Sequence, residues 1–127
     1  KPLRFEIRTG DLRPLAISGV GRAVLSQHSD DEIARLLRRI NATCPSAERI
    51  ALKDLMPIIE EIRRTGYIFS KHIITQDAGV IAVPLSQRSF GRILVLGVGG
   101  PVTRLEERFE EILRCMRQGI SRFLGDH

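Results

Sequence analysis

Three groups of residues in this sequence have chemistry to offer another molecule: glycines beside a serine, two cysteines, and three histidines. Ser18-Gly19-Val20-Gly21 stands just before the apolar pair Val24 and Leu25, where a short helix is expected to begin with Ser18 as its N-cap. Amides in the first turn of a helix lack partners and carry the positive end of its dipole, so such a loop can seat a carboxylate or phosphate. The same glycines would also serve a tight loop or a close approach of two elements, and the spacing alone does not choose. A second pair, Gly97 and Gly99, shares one face of an apolar run with Ile93 and Val95. Glycine weakens a buried strand unless a ligand or another backbone must come close, so these positions are candidates for the same site.

The other reactive residues point away from covalent chemistry. His28, His72 and His127 belong to no motif, and none has a serine, cysteine or carboxylate at a spacing that would make it a general base. Cys44 and Cys115 form no CxxC and no Cys/His pattern suited to zinc. Cys115 lies beside an apolar helical stripe, which favours packing, and Cys44, in a loop before Pro45, is expected to be the more accessible thiol. Thiol redox chemistry through either one is the enzymatic alternative. No catalytic residue, metal ligand or cofactor is assigned.

The elements that must hold these residues follow from periodicity. Leu3, Phe5 and Ile7 alternate with charged residues, which predicts a strand with one wet face. Ser29-x-x-Glu32 is a capping box, followed by a stripe of Ile33, Leu36, Leu37 and Ile40 and by Arg35, Arg38 and Arg39, placed as cations near a helix end. Residues 41–50 read as a loop. A third helix, from about Asp54 with Pro57 in its first turn, carries Leu55, Ile59 and Ile62 to a stop at Gly66. Tyr67 to Thr75 is expected to be a strand, and Val80–Leu85 and Ile93–Val98 are apolar runs suited to strands covered on both faces, joined by a hairpin at Ser89–Gly91. A single long helix capped by Thr103-x-x-Glu106 closes the chain, with Leu105, Phe109, Ile112, Leu113, Met116, Ile120, Phe123 and Leu124 at helical spacing. The expectation is one α+β domain over 1–127 with about four strands and four helices.

Composition excludes several classes. In 127 residues, 43% are hydrophobic and 28% charged, which describes a folded domain rather than a disordered chain. No apolar run approaches the roughly 18 residues of a membrane span, so no membrane partner is expected. The net charge of +5 comes from 20 basic and 15 acidic residues. The arginines are scattered from Arg4 to Arg122 and alternate with acids on helical faces, as with Glu107, Glu111 and Arg114. That pattern suits solvated surfaces rather than a nucleic-acid stripe.

Four blocks in order carry a family resemblance: residues 13–25 (RPLAISGVGRAVL), 62–67 (IRRTGY), 81–84 (IAVP) and 100–104 (GPVTR). From about Leu3 to Leu124 the sequence resembles the effector-binding domain of IclR-type transcriptional regulators. The resemblance implies a GAF-like antiparallel sheet that binds small organic acids, assembly as dimers or tetramers, and DNA contact only through a winged-helix domain absent here. It also implies that the helix and first two strands of the effector domain are missing. The sheet is then expected to leave an open edge or to need a partner chain.

Site residues carry over with the blocks. The effector carboxylate would meet Ser18, Gly19, Val20 and Gly21. Ser70 replaces an acidic residue frequent in the family, and Val80, Gly97 and Gly99 stand where polar side chains are common. An anion cradle with a less polar far wall implies a larger effector, an aromatic or branched acid. Besides the thiol reading, a self-association module without a ligand is the other alternative, and it implies a filled interior between Gly19 and Gly97. The expected home is the cytoplasm.

Overall fold

The computed structural model describes residues 16–71, 77–85 and 93–125. The strand expected at Leu3–Thr9, the hairpin at Ser89–Gly91, His72 and His127 lie outside the described residues. Within them the chain runs through α1 (Gly19–Leu25), α2 (Asp30–Thr43), a short 3-10 turn (Ser46–Glu48), α3 (Leu52–Thr65), β1 (Ile68–Lys71), β2 (Ala78–Leu85), β3 (Leu94–Pro101), α4 (Val102–Glu107) and α5 (Phe109–Gly125). The three strands form an antiparallel sheet in the order β1-β2-β3, so the α+β expectation holds.

The alternation along β2 divides its side chains between the two faces of the sheet. Val80 and Ala82 face α1, whereas Ile81 and Val83 face α4 and α5, where they join Leu105, Leu113 and Met116. Tyr67, just before β1, and Phe69 within it pack on Phe109 there, with ring centroids 5.3 and 5.6 Å apart. A second cluster, including Leu25, Ile33, Leu37, Ile40, Leu55 and Ile59, knits the first three helices together. Central β2 is buried almost throughout, as its unbroken apolar run implied. β3 is not covered on both faces: it is a half-exposed outer strand among the described residues, with Leu96 38% exposed and Gly97 also exposed. Its apolar run matches that of a buried strand because sequence does not register whether a neighbouring strand lies alongside.

The ends of the helices show where local signals held and where they did not. Ser18 caps α1, and Ser29 and Glu32 form the full reciprocal capping box of α2. Gly66 ends α3 in the left-handed conformation, with φ 84°. α2 continues through Thr43, a turn beyond its arginines, because Asn41 has a role inside the fold: its side-chain amide donates to the Ile50 carbonyl at 2.8 Å and ties down the following turn. α3 starts at Leu52, which leaves Pro57 inside the helix on an exposed face. The closing helix is two helices. Pro101 rather than Thr103 stands at the cap, and the axis breaks at Arg108, where φ is −115° and ψ 22°.

One arginine of the IRRTGY block locks these helices together. The Arg63 Nε donates to the Ser26 carbonyl at 3.2 Å and its Nη2 to the His28 carbonyl at 2.8 Å. Its Nη1 bridges Asp30 at 2.8 Å and Glu60 at 2.9 Å. The turn between α1 and α2 is thereby fastened to α3, which fixes the direction in which α1 meets the sheet.

Candidate functional site

The candidate residues named from sequence come together. Ser18 is buried and its Oγ accepts a hydrogen bond from the Gly21 amide at 2.9 Å, while the Arg22 amide closes the first helical bond to the Ser18 carbonyl. One amide of the cradle is therefore already used by the protein. Gly19 sits directly on the sheet: a Cβ built there would lie 2.7 Å from the Ser70 Cβ and 2.9 Å from the Val80 Cγ1. Val80 is paired with Ser70 on one side and Gly99 on the other, and Ala82 with Gly97. A Cβ at Gly97 would meet the Val20 Cγ2 at 3.4 Å, an ordinary contact. The missing side chain at Gly19 thus serves close packing of α1 on β1 and β2, whereas Gly97 leaves room for a methyl group beside Val20.

Space opens to one side of this junction. A groove of about 740 Å³ lies between the second half of α3 and the strand β1, and Ser70 lines both the groove and the Gly19 contact. Pro57, Ile58 and Ile62 form its helical wall, and Arg22 reaches into it from α1. The Arg22 Nε donates to the Ala16 carbonyl at 2.7 Å, and burial lowers the pKa of its guanidinium. Glu61, also in the groove, is held by both Nε and Nη2 of Arg64 at 3.1 and 2.5 Å, and this pairing keeps its carboxyl below the usual range.

The chemistry that such a site supports is recognition of a polar, anionic group beside apolar walls. Among the described residues, no cluster of His, Cys, Asp and Glu is arranged to hold a metal ion. The cysteines exchange the places expected for them: Cys44 is buried and Cys115 exposed. Cys44 closes α2, its amide bonded to the Ile40 carbonyl at 3.0 Å, and packs in the helical core. Cys115 falls on the outer side of α5, off the line through buried Leu113 and Met116. Arg22 and the groove were not singled out from sequence. The only signal was position, since a cation directly after a glycine loop stands one turn into the helix that the loop opens.

The family model described as bacterial transcriptional regulator IclR C-terminal matches residues 1–122. The chain belongs to the IclR family. It is 28% identical over 131 residues to the HTH-type transcriptional regulator KdgR of Escherichia coli K12, an alignment covering 98% of this chain and 49% of that protein. With KdgR of Dickeya chrysanthemi the identity is 24%, over 98% of this chain and 43% of the relative. The chain spans about half the length, or slightly less, of the curated relatives it matches. The effector domain of an IclR transcriptional regulator from Acinetobacter sp. ADP1 superposes with a TM-score of 0.78 at 28% identity, covering 94% of this chain and 70% of that one. The C-terminal domain of E. coli KdgR shares the fold, with a TM-score of 0.72 at 23% identity over 88% of this chain and 70% of that one. This IclR domain accordingly has the α+β architecture of its relatives. No helix among the described residues is long and apolar enough to cross a membrane.

Proposed function

We propose that the chain is the sensing part of a bacterial transcriptional regulator: a single non-enzymatic domain that binds a small organic acid in the cytoplasm and self-associates. DNA contact would belong to a separate winged-helix domain. The observation that carries this reading is the convergence of Ser18–Gly21, Ser70, Val80, Gly97 and Gly99 on one junction of helix and sheet, with an open groove beside it. Those residues come from four separate parts of the chain, and their meeting point borders a volume in the range of small-molecule sites. Ile58, Ile62 and Ile68 along the groove favour an effector with an apolar body, an aromatic or branched acid. Titration calorimetry against a panel of acids tests this: phenylpyruvate or α-ketoisocaproate should bind more tightly than pyruvate, and tighter binding of pyruvate would refute the apolar preference.

The direct contact of Gly19 with Ser70 and Val80 supports a second reading, a self-association module with no ligand. The same titration separates the two, because that module would bind none of the acids while still forming oligomers.

A further inference from the structure

The charge balance inside the groove is uneven. Of the arginines near α3, Arg63 is bound to Asp30 and Glu60 and Arg64 to Glu61. Lys71, at the rim, is held by Glu106 at 2.7 Å. Arg22 differs. It is half-buried, its Nε is fixed on the Ala16 carbonyl, and among the described residues no carboxylate lies within ion-pairing distance of it. Its two terminal nitrogens therefore have hydrogen-bonding capacity that the described fold does not use. A partly desolvated guanidinium with an immobilised Nε presents a planar donor pair, the geometry that recognises carboxylates.

The surroundings define the rest of the ligand. Ile58 and Ile62 line one wall, Ile68 stands on the other, and the Ser70 hydroxyl lies at the α1 end. Glu61 does not neutralise the groove, because Arg64 already engages it. We propose that Arg22 anchors the carboxylate of an amphipathic organic acid whose apolar body lies in the groove between α3 and β1, with Ser70 beside the acid group. The inference rests on the effector reading above and deepens it: the charge that holds the acid comes from a side chain one turn into α1 rather than from the amides at its start, one of which Ser18 already occupies.

The test is calorimetric titration of the 127-residue chain at low ionic strength with phenylpyruvate and with its uncharged methyl ester, on four proteins: wild type, Arg22→Met, Arg22→Lys and Ile58→Glu. Circular dichroism and thermal melting check that each is folded. The wild type should bind the acid at least about tenfold more tightly than the ester. Arg22→Met should abolish that preference by weakening the acid alone, and Arg22→Lys should restore part of it. Ile58→Glu places a carboxylate in the groove without touching the anchor, and should weaken the acid more than the ester; it decides the matter if Arg22→Met does not fold. Equal binding of acid and ester by the wild type, or an Arg22→Met protein that holds the acid as tightly as the wild type, overturns the anchor and leaves the effector reading standing. A wild-type chain that binds no acid overturns both.

Discussion

A methyl group added at Gly19 would fall 2.7 Å from one side-chain carbon and 2.9 Å from another, on a sheet that has no freedom to withdraw. Gly19→Ala is expected to lower stability by about 1–3 kcal/mol through overpacking, read as a fall in the urea midpoint with an unchanged slope. Gly97→Ala, whose new carbon would meet Val20 at 3.4 Å on an exposed strand, should stay within about 0.5 kcal/mol of the wild type. Equal effects at the two positions would contradict the packing described here. The thiols give a second contrast at this scale. Alkylation of the native protein should modify Cys115 quickly and Cys44 only on unfolding, since Cys44 is 5% exposed. Residue types were legible in the sequence and their environments less so: Cys44 precedes a proline in what looks like open loop, yet the helix runs one turn further and carries it into the core.

Among the elements, the first helices are held by contacts that can be removed one at a time. Arg63 satisfies two carbonyls at the end of α1 and an acid at the start of α2, so Arg63→Ala should cost about 1–3 kcal/mol. Lysine should recover less than half of that loss, because it offers a single charge in place of a planar fork. The capping box adds a pH dependence. The Ser29 backbone amide, followed by its hydroxyl, holds the Glu32 carboxyl below its ordinary 4.5, so the folded state binds its proton less readily than the unfolded chain. Its contribution is complete above pH 4.5 and is lost as pH falls through the lower folded value. The stability difference between wild type and Glu32→Gln should accordingly be flat near neutrality and shrink on acidification. Caps and apolar stripes made these helices readable. The break at Arg108 was hidden, because Leu105, Phe109 and Ile112 continue one helical spacing across it. It arises from tertiary demands: the Val102 amide is bound to the Asp77 carbonyl at 2.6 Å, Leu105 is buried with β2, and Phe109 must lie flat on Phe69.

For the whole molecule, the consequential feature is the outer side of β3. Among the described residues it pairs only with β2, and exposed Leu96 lies on it. An unpaired apolar edge recruits another strand, so sedimentation equilibrium should show the chain self-associating, and Leu96→Lys should shift it toward monomer. The antiparallel sheet and its helices were legible from four short blocks of sequence. The groove was not, because it arises where α3 and β1, adjacent in the chain, diverge and Arg22 from another helix borders the gap. In the proposed function, the junction of α1 with this sheet and the groove beside it receive an acid. Amide chemical shifts of the labelled chain during titration with phenylpyruvate test it most directly. Saturable shifts concentrated at Ser18–Arg22 and Ile68–Lys71 are expected. Shifts confined to α5, or none at saturating acid, would contradict it.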